Sequence, residues 1–72
     1  MPKLPNFTPK KLIKKLNKLG FIEDHQSGSH IVMFNPKSQK RAVIAMHLND
    51  IPKGTLISLL REAGISREEI TK

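Results

Sequence analysis

Three side chains of this chain can exchange protons near neutral pH, the imidazoles of His25, His30 and His47. An unperturbed imidazole has a pKa of about 6.5, so it can act as an acid or as a base there. His30 follows Gly28-Ser29 and opens the apolar run 31–34, which has the composition of a strand. Gly28 can adopt a positive φ and bring the backbone close to a ligand. The sequence therefore predicts that the sheet holds His30 while its ring reaches solvent.

His47 follows a further apolar run and is the second candidate for acid–base chemistry. If Phe34 pairs with Arg41 in a hairpin, His30 faces Ala45 and lies diagonal to His47 on one face. Diagonal neighbours are about 7–8 Å apart at Cα, close enough for two rings to flank one phosphate. A slip of one residue would put the two rings on opposite faces. The paired-histidine site is therefore a hypothesis that depends on this register.

Each of these residues also has an ordinary structural interpretation. From its spacing alone, His30 can be an ordinary strand residue. His25 stands beside Glu23 and Asp24, and we expect it to be exposed and at most to contact phosphate. Ser29 is disfavoured as a nucleophile activated by His30, because adjacent strand residues point to opposite faces. The sequence has no His-x-x-x-His pair and no carboxylate cluster, so we expect neither a metal site nor a cofactor.

The residues before the histidines predict a helix from about Pro9 to Leu19. Thr8 can cap it, Pro9 suits its first position, and Gly20 can end it. Its apolar face is formed by Leu12, Ile13, Leu16 and Leu19. Its other face carries Lys10, Lys11, Lys14, Lys15 and Lys18 with no acidic partner. That face is either a solvated surface or a surface that binds phosphates, for which we select Lys10, Lys14 and Lys18, with Lys53 from further along the chain.

The remaining elements predict an α+β fold in the order α-β-β-β-α. Three short runs predict an antiparallel meander, with strands over 21–25, 30–34 and 41–46, a turn over 26–29 and a loop over 35–40. A second helix is indicated by Leu56, Leu59, Leu60 and Ala63 and ends at Gly64. The capping-box sequence at 66–69 predicts a final helical turn. Two helices on one face of a three-stranded sheet is the arrangement of double-stranded-RNA-binding domains.

The composition indicates a polyanionic partner. Thirteen Lys and Arg against six Asp and Glu give a net charge of +7, which favours nucleic acid, an acidic protein or an anionic membrane. With three Phe and no Tyr or Trp, a binder that stacks successive bases on aromatic side chains is disfavoured. The chain has no Cys, which is compatible with a reducing cytoplasm. We expect one domain over 1–72, without a signal peptide or a membrane-spanning segment.

Taken together, these fragments resemble the HicA toxins, small ribonucleases of bacterial toxin–antitoxin pairs. The resemblance covers the chain from Leu12 to about Ile70 and is carried by fragments 18–21, 28–30, 46–47, 54–56 and 63–66, in this order. It implies a double-stranded-RNA-binding-domain-like fold, cleavage of mRNA, inhibition by a HicB-type antitoxin and a catalytic role for His30. Gly28 and Ser29 correspond to the turn of the catalytic motif and are assigned to RNA binding with the lysines.

The chain departs from the family pattern at two places. Many members have a second histidine directly after the motif, where this chain has Ile31. Members often have valine-proline before the later histidine, where this chain has Ala45-Met46 before His47. The resemblance implies a cytoplasmic protein that is a monomer alone and a hetero-oligomer with its antitoxin, with no membrane partner.

RNA carries its own nucleophile, the 2′-hydroxyl, so a metal-free nuclease needs a base, an acid and cationic charge on the phosphorane. His30 is the candidate base or acid. Lysines of the first helix, or Lys53, can supply the charge. The group that complements His30 stays open at this point, with His47 as the first candidate and water as the second. The alternatives are a non-catalytic RNA-binding module and a small basic protein that binds only an acidic protein.

Overall fold

The elements follow one another in the predicted α-β-β-β-α order. The computed structural model describes residues 3–46 and 49–72. Within these ranges the elements are α1 (Pro9–Lys18), β1 (Ile22–Ser27), β2 (His30–Asn35), β3 (Lys40–Ala45), α2 (Lys53–Ala63) and α3 (Arg67–Thr71). The predicted element order is therefore confirmed, with the expected final helical turn present as α3.

Both ends of α1 form as the sequence predicts. The Thr8 hydroxyl accepts a hydrogen bond of 3.2 Å from the backbone N–H of Lys11, and Pro9 opens the helix. After α1, Gly20 has a φ of 99°, which glycine adopts readily. The helix ends at Lys18, one residue earlier than predicted, and Leu19 is its cap residue. This end directs Phe21, which is 2% exposed, into the core.

The strands form one antiparallel sheet in the order β1-β2-β3. The hairpin register that the paired-histidine hypothesis required is present, because Phe34 pairs with Arg41 and His30 pairs with Ala45. The predicted turn over 26–29 is too long, since β1 continues through Ser27 and only residues 28 and 29 form the turn. The reason is Gly28, whose φ of 59° permits a two-residue turn and thus pairing up to the turn itself.

One face of the sheet carries the core. Its buried residues are Ile31 and Met33 of β2 and Ala42 and Ile44 of β3. The helices close this core with Leu12 and Leu16 from α1, Leu56, Leu59, Leu60 and Ala63 from α2, and Ile70 from α3. The opposite face, called the open face below, carries His30, Val32 and their strand partners, and no described helix covers it. Its residue Val43 is 48% exposed.

Segments outside the regular elements also pack and form hydrogen bonds beside the helices. Leu4 and Phe7, which precede α1, are buried with Ile51, and the backbone N–H of Ile51 donates to the Phe7 carbonyl at 2.8 Å. The Lys53 ammonium donates to the Leu4 carbonyl. None of the helices in the described ranges combines the length and the apolar character needed to cross a membrane.

Candidate active site

The structure places His30 on the open face at the first position of β2, directly after the turn of Gly28 and Ser29. His30 pairs with Ser27 on one side and with Ala45 on the other. Its side chain is exposed, whereas that of the next residue, Ile31, is buried on the core face. The strand therefore fixes the backbone of His30 and leaves its side chain exposed to solvent, as the sequence predicts.

A cleft of about 240 Å³ lies beside His30 at the β3 edge of the sheet. Its walls include Val43 and Ala45 from β3 and Ile51, Thr55 and Leu59 from the chain around α2. The beginning of α2, where Lys53 and Gly54 stand, is thereby brought toward His30. Lys53 is exposed, and its ammonium also donates a hydrogen bond to the Leu4 carbonyl in the segment before α1.

The lysines of α1 form a second surface. Lys10, Lys14 and Lys18 are exposed. A groove of about 350 Å³, called the lysine groove below, is lined by Phe7, Lys11, Lys14, Lys15, Asn17 and Lys18. Because α1 packs on the core face of the sheet, these lysines are not brought next to the imidazole of His30.

The second predicted histidine, His47, lies outside the described residues, so the hypothesis of a His30–His47 pair stays a prediction. The register on which it depended is present, since Ala45 stands opposite His30.

The sequence interpretation missed the environment of His25. A β-bulge interrupts the pairing of β1 with β2 between Glu23 and His25. His25 then pairs with Val32, well inside β1 and not at the strand end that the sequence suggested. Counting back by twos from the turn, through Ser27 to His25, would have placed His25 on the face of His30. The register of a strand with no buried residue could not be obtained from hydrophobic alternation.

A polar cluster surrounds His25. Its Nδ1 lies 2.9 Å from Oδ2 of Asp24, and the same oxygen accepts a hydrogen bond of 3.3 Å from Nη1 of Arg41. Arg41 crosses above β2, with its guanidinium carbon 4.9 Å from the centre of the Phe34 ring. The hydrogen bond from His25, supported by Arg41, lowers the pKa of the Asp24 carboxyl and keeps it ionised.

The described part of the chain contains no cluster of metal-ligating side chains. There, no three His, Asp or Glu side chains stand close enough together to hold an ion. Among the described residues, the open face carries the imidazoles of His25 and His30, with the Asp24 carboxylate and the Arg41 guanidinium beside them.

This arrangement defines a small α+β protein with an accessible histidine on an open sheet and a lysine-covered helix. A family model described as HicA toxin of bacterial toxin-antitoxin matches residues 9–65. That match runs from the start of α1 past the end of α2, so the chain belongs to the HicA toxin family and is of the toxin kind in a toxin–antitoxin pair. Comparison with curated proteins gives no significant match.

Proposed function

We propose that this protein is a metal-independent endoribonuclease that cleaves mRNA with His30 as its catalytic histidine. In the cell, a HicB-type antitoxin holds it inactive. The observation that carries the proposal is the position of His30, exposed directly after the Gly28-Ser29 turn in a chain that belongs to the HicA toxin family. The family match includes this turn and the strand that follows it.

The chemistry uses the nucleophile that RNA supplies. The 2′-hydroxyl attacks the adjacent phosphorus, and His30 either accepts its proton or donates one to the departing 5′-oxygen. Positioned acid–base catalysis of this kind contributes about 10²–10⁴-fold to a rate. The products are a 2′,3′-cyclic phosphate and a 5′-hydroxyl end.

Binding of the RNA backbone rests on cationic charge. The net charge of +7 attracts a polyanion, and Lys10, Lys14, Lys18 and Lys53 are the proposed phosphate contacts. Gly28 and Ser29 are proposed to bring backbone close to the RNA beside His30. The same basic surface suits an acidic antitoxin, with which the monomeric toxin forms a hetero-oligomer in the cytoplasm.

The test compares the purified wild-type chain with His30→Gln on an end-labelled RNA in the presence of EDTA. We expect cleavage by the wild type, a loss of about 100-fold or more in the variant, and a cyclic phosphate at the new 3′ end. Lys37→Gln, in the turn at the far end of the β2–β3 hairpin, is the control and should cleave as the wild type does. An RNA with a 2′-deoxy residue at the cleaved position should resist.

Two outcomes contradict the proposal. RNA that is bound but not cleaved by the wild type indicates a non-catalytic RNA-binding module. RNA that is neither bound nor cleaved at moderate salt indicates a protein whose partner is only an acidic protein. Addition of an equimolar HicB-type antitoxin should suppress cleavage, whereas an unrelated acidic protein should not.

A further inference from the structure

The open face carries a second histidine close to His30. In β1, His25 pairs with Val32 and Ser27 pairs with His30, and the ladder between these pairs is regular. Directly paired residues in an antiparallel sheet point to the same face, as do residues two apart in one strand. His25 and His30 are therefore diagonal neighbours on one face, at about 7–8 Å between Cα atoms.

The bulge at Asp24 accounts for this placement. Before the bulge, Glu23 pairs with Met33, which is buried on the core face. Without an extra residue, strict alternation from Glu23 would put His25 on the core face as well. Because Asp24 is inserted, β1 changes phase and His25 points to the open face. Bulges often redirect a side chain in this way beside active sites.

Asp24 also fixes the ring of His25. An ionised carboxylate only accepts hydrogen bonds, so Nδ1 of His25 must carry the proton in their 2.9 Å contact. The nitrogen left for exchange with a substrate is Nε2. A histidine oriented by a carboxylate in this way serves as an acid–base group in other enzymes.

We infer that His25 is a second catalytic residue, the acid–base partner of His30, and that Asp24 is its positioning residue. This inference rests on the proposed ribonuclease function. It assigns to His25 the acid–base role beside His30 that the sequence left open. The strand register places His25 on the open face. Arg41, whose guanidinium contacts Asp24, can bind the phosphate that lies between the two rings.

The two imidazoles complete a balanced step. The 2′-oxygen forms a bond to phosphorus while its proton passes to one imidazole. The bond between phosphorus and the 5′-oxygen breaks while the other imidazole donates a proton to that oxygen. The first ring ends as an imidazolium and the second as a neutral imidazole, and proton exchange with water restores both.

The experiment uses the full chain and five variants measured beside the wild type, one of which is His30→Gln. His25→Gln removes the imidazole. The double variant His25→Gln/Gln26→His keeps the composition and moves the imidazole by one position, to the core face of β1. Asp24→Asn removes the positioning carboxylate, and its control, Glu23→Gln, removes a carboxylate from the adjacent position on the other face. Thermal unfolding by circular dichroism verifies that each variant is folded before its rate is compared.

We expect cleavage by His25→Gln and by the double variant to fall about 100-fold or more, with a smaller loss in Asp24→Asn and none in Glu23→Gln. The pH–rate profile of the wild type should be bell-shaped, and that of His25→Gln should lack one limb. The titratable and charged groups that face His25 among the described residues are Asp24 on β1, His30 on β2 and Arg41 on β3. The lost limb identifies the role of His25, because an acid shapes the alkaline limb and a base the acidic limb.

The inference alone is overturned by unchanged cleavage in His25→Gln, or by a slower His25→Gln variant that keeps both limbs of the pH–rate profile. Recovery of activity in the double variant also overturns it, since an imidazole on the core face cannot meet the same phosphate. A wild-type chain that cleaves no RNA overturns the proposed function and this role with it. His30→Gln, measured in parallel, separates these cases because it tests the proposed function without touching His25.

Discussion

His25 stands one diagonal step from His30 across the β1–β2 ladder, and both rings project from the open face of the sheet. The two-residue turn at Gly28 and Ser29 holds this relationship, because pairing begins immediately at Ser27 and His30. A site built on paired strands keeps its geometry better than one built on a mobile loop. The two imidazoles proposed for catalysis therefore lie on one exposed face of the sheet.

The first prediction concerns the acid dependence of stability at Asp24. Its pKa in the folded chain is below the ordinary value, first because of the hydrogen bond from His25. A lowered carboxyl pKa stabilises the fold above the unfolded-state pKa, and that stability is lost as the pH falls through the folded-state pKa. Asp24→Asn should thus unfold more easily than the wild type at neutral pH. Urea unfolding at decreasing pH should show this gap closing below about pH 4; a gap that does not vary with pH would contradict the assignment.

The bulge shows why the sequence could predict one histidine environment and not the other. Alternating buried positions, with Ile31 and Met33 on β2 and Ala42 and Ile44 on β3, fix the register of the second hairpin. Every residue of β1 is exposed, so no hydrophobic alternation reports its register. A bulge in such a strand leaves no compositional sign.

The helix ends could be predicted because their causes lie close by in the sequence. Thr8, Gly20 and Gly64 act on backbone groups within a few residues, so local sequence contains the whole cause. By contrast, the contact of Lys53 with the Leu4 carbonyl joins residues far apart in sequence. Such pairings depend on the assembled core, and the sequence interpretation gave Lys53 only a role in RNA binding.

The second prediction concerns the capping box of α3. The Ser66 hydroxyl accepts from the N–H of Glu69 at 3.1 Å, and the Glu69 carboxylate accepts from the N–H of Ser66 at 3.0 Å. This short helix places Ile70, which is 1% exposed, in the core. Ser66→Ala should lower the free energy of unfolding by about 1 kcal/mol, as loss of an N-cap generally does. Ser66→Thr, which keeps a capping hydroxyl, is the control for urea denaturation and should lose much less.

The third prediction compares two adjacent residues of α2. Leu56 is fully buried, and its neighbour Ile57 is 36% exposed. Leu56→Ala should cost about 2–5 kcal/mol through lost burial and a residual cavity, which is a large share of the stability of a small domain. Ile57→Ala should cost well under half of that. Equal losses in urea unfolding would show that the side of α2 facing the sheet has been assigned wrongly.

The fourth prediction uses salt to test the lysine groove. Each phosphate neutralised on a single strand contributes about 0.7 to the slope of log affinity against log salt concentration. Lys14→Gln/Lys18→Gln should therefore weaken RNA binding at low salt and reduce the slope by about 1.4. The double variant Lys37→Gln/Lys40→Gln removes equal charge from the β2–β3 turn and the first position of β3 and is the control. If both double variants change the slope equally, RNA responds to net charge and not to the groove.

The fifth prediction contrasts two glycines, one in the turn before His30 and one in α2. Gly28 has a φ of 59° in the turn before His30, whereas Gly54 lies in the first turn of α2, and a Cβ built at either position meets no atom within 4 Å. The effect of an added methyl group on stability therefore depends only on the backbone conformation at each glycine. Gly28→Ala should destabilise the chain by about 1–2 kcal/mol, because an L-residue in left-handed backbone is strained. Gly54→Ala should stabilise it by about 0.4–1 kcal/mol through a less flexible unfolded chain.

Thermal and urea unfolding of these two variants measure the backbone effect, and Gly28→Asn refines it, since asparagine tolerates left-handed backbone better than alanine does. RNA cleavage by the same variants then tests independently whether the RNA backbone lies close to either glycine. If RNA backbone packs against Gly54, the Gly54→Ala variant gains stability and loses activity together, because the added methyl group occupies space needed by the substrate. A variant that is more stable and equally active would show that Gly54 serves only the helix, and would restrict the close approach of RNA to the turn at Gly28.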